Sequence, residues 1–164
     1  INMGSINIKH GSDSYNFESE ELEIDGVLLD VKKAIAKQIF GRVVLPAHGK
    51  VPFVTGRYVS SHRLGIGAID SSYESSGANS LVEAQGKAIK QLDKLDKITL
   101  DEDVFISNSV EDRNFHYAGM IEYSGWTGKR GGIKGPFMIY NNAYRKTLPE
   151  IDGIMQRVIA KYGK

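Results

Sequence analysis

The chain has 164 residues, enough for one domain that buries about 70% of its unfolded surface and needs no staples. Apolar residues make up 41% and charged residues 25%, and the net charge is +1, so bulk charge directs the chain to neither nucleic acid nor membrane. It has no cysteine, which excludes disulfides, thiolate zinc sites and a cysteine nucleophile and fits folding in a reducing cytoplasm.

The start, "INMGSINIKH", lacks a charged region followed by an apolar core, so it does not read as a secretory signal. Residues 1–5 read as disordered or as a cloning remnant. Ile6 and Ile8 alternate in a short strand pattern, and "GSDSYNF" reads as a turn. From Ser19 to about Val44 the spacing is helical. Leu22, Ile24, Val27, Leu28, Val31, Ile35 and Ile39 form an apolar stripe. Glu20, Glu21 and Glu23 precede Lys32, Lys33, Lys37 and Arg42, matching the helix dipole, and Pro46 ends the helix.

An irregular stretch follows, in which Thr55 is placed to cap a short turn over Arg57–Ser60. "LGIGAID", residues 64–70, alternates as a strand with Leu64, Ile66 and Ala68 on one side. Residues 70–79 then form a polar, flexible loop. Ser80-Leu-Val-Glu83 is a capping-box pattern opening a helix to about Leu95, with Gly86 as its weak point. "DVFISNS" reads as a strand with Val104 and Ile106 on one face. Phe115–Tyr123 suits a helical turn better than alternation. After the glycine-rich residues 124–135, a second flexible loop, Pro136 fits the first turn of another helix. Thr147-Leu-Pro-Glu150 kinks or restarts it, and Leu148, Ile151, Ile154, Met155, Val158 and Ile159 make an amphipathic face. The order of elements implies one α+β domain over residues 1–164. A small, mostly antiparallel sheet packs against the long N-terminal helix and a C-terminal helix.

Catalytic patterns are thin. A phosphate loop needs Gly-Lys-Ser/Thr, whereas Gly49-Lys50 is followed by Val51 and Gly128-Lys129 by Arg130. Gly65-Ile-Gly67 reaches Asp70 where a dinucleotide loop needs its third glycine. His10, His48, His62 and His116 share no metal-binding spacing and read as surface or hydrogen-bonded residues. Asp101, Glu102 and Asp103 read as a solvated turn entering a strand, because no calcium loop follows. Ser60, Ser61 and His62 are adjacent, but no nucleophile elbow holds them, and triads assemble in space rather than in sequence. No cofactor is expected, and the chain does not read as an enzyme. In "EYSGWTGKRGGIKGP", Lys129, Arg130 and Lys134 suit phosphate contacts, and Trp126 suits a base, a partner protein or its own core.

Three segments carry a family likeness. In "VPFVTGRYVSSHRLGIG", Pro52, Thr55, Gly56, Arg57 and Ser60 or Ser61 fit a Pro–x–x–Thr-Gly-Arg/Lys–x–x–x–Ser motif, with Val54 where an acidic residue is usual. In "DVFISNSVEDRNFHYAGMIEYSGW", Asn108, Tyr117, Ala118, Ile121, Glu122, Tyr123 and Gly125 fit a strand ending in Asn followed by Tyr-Ala–x–x–Ile/Leu-Glu-Tyr-Gly. The Asn-to-Tyr spacing is longer than the family's, and Ser124 is inserted. "GPFMIYNNAYRKTLPEIDGIMQRVI" is similar to the closing helix. Over roughly residues 20–162 the chain resembles the tailed-bacteriophage neck, tail-completion and minor tail protein Z-like family of head–tail connector proteins.

That resemblance implies a structural virion protein, made in the host cytoplasm and residing in the neck or tail. It would form a sixfold or twelvefold ring with itself and meet the connector, tail tube or tail terminator, with DNA in the lumen and no membrane. It leaves open a tail-terminator ring, and the residues leave open a DNA-binding module built on the basic loop. Thr55 and Gly56 would set the turn into the sheet. Glu122 would pair with Arg57 or a loop cation, and Tyr117 and Tyr123 would pack. The loops 70–79 and 124–135 would order against neighbours.

Overall fold

A computed structural model describes residues 9–10, 13–14, 17–45, 56–112, 115–124 and 136–162. Two short strands, β1 (Lys9–His10) and β2 (Asp13–Ser14), pair antiparallel ahead of the long helix α1 (Phe17–Val44). A single turn of helix, α2 (Arg57–Ser60), leads into β3 (His62–Ile66). Helix α3 (Leu81–Ile89) tightens into a 3₁₀ segment over Lys90–Lys97. Then come β4 (Val104–Asn108), β5 (Glu111–Asp112) and β6 (Phe115–His116). Helix α4 (Tyr117–Gly119) widens into a π-helical turn over Met120–Ser124. Helix α5 (Ile139–Thr147) and helix α6 (Ile151–Tyr162) flank a 3₁₀ turn at Leu148–Glu150.

The fold is a small, helix-rich α+β unit. β3 and β4 pair antiparallel, with Leu64 opposite Ile106 and His62 opposite Asn108. α1 runs through the middle of the architecture, meeting α5 and α6 on one side and α3 and the sheet on another. Its C-terminal half supplies the core. Ala36, Phe40 and Val44 pack with Leu64, Ala88, Leu95 and Ile98, while Val43 packs with Tyr58, Val59, Ala84, Ile121 and Ala143.

The apolar stripe expected of α1 is therefore buried only in part. Val31 is buried, but Ile24 and Leu28 are exposed, because the sheet and α3 cover the later turns only. On α6, Ile154 and Val158 are buried while Met155 and Ile159 are exposed, so that stripe too is wider than the surface covering it.

Local chemistry explains the boundaries. Ser80 Oγ accepts from Glu83 N (3.1 Å), and Glu83 Oε2 reaches back to Asn79 N (2.9 Å), so the capping box closes one residue early. α3 runs through Gly86 unbroken. Gly56, not Thr55, holds the N-cap position of α2, at φ 71 and without a side-chain cap; Thr55 lies outside the described residues. β3 starts at His62 rather than Leu64 and ends at Ile66, where Gly67 turns to φ 68. The buried polar residues His62 and Arg63 hid that start. The last helices also begin later than Pro136 suggests. Phe137 N and Met138 N donate to the Ile121 and Glu122 carbonyls (3.1 Å each), so the chain crosses the π-helical turn before winding at Ile139. Thr147 does not cap the next segment; its hydroxyl bonds back to the Ala143 carbonyl (2.9 Å), and the chain kinks at Leu148–Glu150.

Residues 70–79 have no regular structure but are held along their length. Arg63 Nε donates to Ser72 Oγ (3.0 Å), Glu74 N to Ser61 Oγ (2.9 Å) and Lys87 Nζ to the Gly77 carbonyl (2.7 Å). Asp70 pairs with Lys94 at 2.8 Å. The strand with Ile6 and Ile8 lies outside the described residues, and so does Pro46. None of the described helices is long and apolar enough to cross a membrane.

Candidate functional site

The segments α2–β3, the end of β4, the π-helical turn and the start of α5 meet in one buried polar cluster. Gly56 supplies the left-handed turn that aims α2 inward, and Ser60 Oγ returns to the Gly56 carbonyl (2.8 Å). Tyr58, Val59 and Ser60 are buried as a result.

Glu122, only 5% exposed, accepts from the Tyr58 hydroxyl at 2.5 Å through Oε1 and from Tyr140 N at 3.4 Å through Oε2. Burial pushes its carboxyl above the usual glutamate range, and the bonds from Tyr58 and the amides of Tyr140 and Ile139 pull against that rise. The partner is thus a phenol in place of the expected Arg57, whose Nη2 donates to the Glu111 carbonyl (2.8 Å).

His62 is fully buried, with Nδ1 2.8 Å from the Tyr140 hydroxyl and 3.3 Å from Asn108 Nδ2. Burial, with Arg63 alongside, lowers it to about 3, so the ring is neutral at physiological pH. Asn108 Nδ2 can only donate, and the Tyr140 hydroxyl keeps its proton because burial, Glu122 and Tyr123 raise its pKa. The Asn108 donor assigns Nδ1 as the acceptor and places the ring proton on Nε2, which has no partner among the described residues. Asn108 completes the joint: Nδ2 donates to the Tyr58 carbonyl (2.8 Å), and Oδ1 accepts from Val110 N (3.1 Å). The Tyr58 and His62 rings meet edge-on at 5.0 Å.

The structure therefore brings Gly56, Asn108 and Glu122 together, with Arg57 beside them on Glu111. Tyr117 opens α4. Tyr123, expected to pack, is 76% exposed, because the π-helical turn points Glu122 inward and its neighbour out. Gly125, Trp126, Lys129, Arg130 and Lys134 lie outside the described residues, as do His48 and the side chains of His10 and His116. Sequence patterns gave no sign of the roles of Tyr58, His62 and Tyr140. A tyrosine carries no pattern to mark it as a carboxylate's partner, and Tyr140 is 78 residues from the His62 it bonds.

No dyad forms at Ser60-Ser61-His62. Ser60 Oγ bonds to the Gly56 and Arg57 carbonyls, and Ser61 Oγ accepts from Glu74 N. Around Thr99, the Thr99 hydroxyl donates to Asp101 and its amide to Glu102, the solvated turn expected from the acidic run. Among the described residues no group of His, Asp and Glu side chains gathers to hold a metal ion. The chain matches no family model, no curated protein and no solved structure.

The cluster's geometry is that of a clamp. Ile121 and Glu122, entering the glycine-rich segment, are bonded through their carbonyls to Phe137 and Met138, which leave it. Beneath that backbone pairing, Tyr58 and Tyr140 hold Glu122. Both ends of the segment are fixed to the core, and exposed Tyr123 and Met138 flank its base.

Proposed function

We propose that the chain is a structural virion protein of a tailed bacteriophage, a neck or tail-completion subunit that assembles into a ring at the head–tail junction or the top of the tail. The observation that carries this reading is the clamp under the glycine-rich segment. A ring subunit needs a rigid body and a loop that moulds to its neighbour, and the clamp anchors both ends of such a loop to the core. The reading is also supported by the motif residues that carried the resemblance, since Gly56, Asn108 and Glu122 meet at this clamp although the sequence holds them far apart. Glycines in the segment permit backbone shapes that other residues resist, as a loop ordered on assembly requires.

The test is genetic and structural together. Particles made without the protein should accumulate as unjoined heads and tails, and the purified chain mixed with connector or tail proteins should give rings in electron micrographs. Intact virions lacking the protein, with no association to any virion component, would remove the reading.

A further inference from the structure

Two exposed helical patches carry one pattern with opposite charge. On α1, Ile24, Asp25 and Leu28 are exposed; on α5 and the turn after it, Tyr144, Arg145 and Leu148 are exposed. Each set places apolar side chains at i and i+4 and a charge at i+1, so a charge stands beside one apolar ridge. Leu148 keeps a helical backbone, φ −49 and ψ −52, so the spacing holds at the end of α5. All four apolar residues are about half exposed.

The surroundings extend the contrast. Residues 18–30 include Glu18, Glu20, Glu21, Glu23, Asp25 and Asp30 and no lysine or arginine. Among the described helices longer than one turn, only α5 has cations and no acid. Neither Asp25 nor Arg145 has an ion pair among the described residues, whereas Arg42, Lys87 and Lys94 have theirs. Helix dipoles account for the signs of charge at the start of α1 and the end of α5, but not for the apolar pairs left in solvent beside them.

The two patches stand at opposite ends of α1. The Tyr162 hydroxyl donates to Asp30 (2.9 Å) and Arg42 Nη1 to Thr147 Oγ1 (3.0 Å), so α6 runs back along α1 and the end of α5 is held beside Arg42. Asp25 lies roughly 25 Å along α1 from Arg42. The patches therefore do not meet within one chain, and two different surfaces that fit each other make a heterologous, head-to-tail contact.

We infer that Ile24, Asp25 and Leu28 of one copy dock on Tyr144, Arg145 and Leu148 of the next copy. This rests on the ring reading above and supplies the two different lateral surfaces that a ring subunit uses. Opposite charges set the register and reject like pairs, while the apolar residues supply the buried area. A nucleic acid would meet Arg145 and Lys146 but would leave the acidic, apolar patch on α1 unused.

The experiment uses the full chain in two variants, Asp25→Lys and Arg145→Glu, alone and mixed in equal amounts. Self-association is followed by sedimentation of the concentrated chain, and of the chain with connector or tail proteins; circular dichroism verifies the fold. Each variant alone should associate about tenfold or more weakly than the unaltered chain, because its contact sets like charges together. The mixture should recover, because alternating copies again face each other with opposite charges. Ile24→Ser with Leu28→Ser should weaken association, and neither charge variant should rescue it. Variants that associate like the unaltered chain, single variants that stay weak when mixed, or no association of the unaltered chain under either condition overturn the inference. DNA binding abolished by Arg145→Glu with self-association unchanged would overturn it too, and would assign the α5 patch to nucleic acid. Rings with virion proteins that form equally from each variant would remove this contact and leave the ring reading standing. Recovery on mixing in a protein that associates with no virion component would do the reverse.

Discussion

The Tyr58 hydroxyl donates to Glu122 Oε1 at 2.5 Å across a sequence separation of 64 residues, and both groups are buried. That bond ties the turn before the sheet to the turn before the glycine-rich segment.

Tyr58→Phe removes the donor and leaves the carboxylate buried. The expected cost is about 1.5–3 kcal/mol, the range for a hydrogen bond to a charged group. Urea unfolding checks it. In a double-mutant cycle, Tyr58→Phe with Glu122→Leu should cost less than the sum of the single changes, because neither then strands the other. Additivity would mean the bond carries no coupling.

Acid should destabilise the fold from about pH 6.5 downward through His62. Its folded value is lowered to about 3, so between these limits the unfolded chain binds a proton that the folded chain refuses. Stability then falls with falling pH by up to about 1.4 kcal/mol per unit. Glu122 works the other way. Its raised folded value means that stability is lost as pH rises through its titration. His62→Gln should flatten the acid limb of a stability-versus-pH curve measured by chemical unfolding. An unchanged slope would refute the assignment.

Two glycines should differ sharply on substitution. A Cβ at Gly65 would stand 2.1 Å from the Ala68 carbonyl oxygen and 2.8 Å from Asp70 N, both backbone atoms. Gly65→Ala should cost at least the ~3 kcal/mol upper end of ordinary overpacking. Gly67→Ala meets nothing within 4 Å of the added Cβ and only the left-handed backbone at φ 68, worth about 1–2 kcal/mol. Melting temperatures of the two variants test that order.

Arg42 reaches both carboxylate oxygens of Glu150 (2.7 and 2.8 Å) and Thr147 Oγ1 (3.0 Å), fastening the kink between α5 and α6 to α1. Solvent screens this pair, since the side chains are 24% and 45% exposed. Glu150→Ala should cost no more than about 1 kcal/mol, and less in high salt.

Much of the fold is legible in the order of residues alone. The charged, periodic run of α1, the capping box at Ser80 and the alternation of Val104 and Ile106 each carry their own local signal. The clamp does not. Its polar members look like surface residues until Tyr140 and Asn108 are found beside His62, and only those tertiary contacts satisfy the buried groups. The late start of α5 was hidden for a related reason. Its preceding amides are bonded to the Ile121 and Glu122 carbonyls, a pairing between distant stretches that no local pattern announces.

The pairing of residues 121–122 with 137–138 also has a thermodynamic meaning for partner recognition. Bringing together the ends of a free segment of about 14 residues costs on the order of 2 kcal/mol in chain entropy. Folding has already met that cost. On the ring reading, a neighbour that binds the segment meets ends already held together, so recognition begins from a closed span of backbone and not from an open tether.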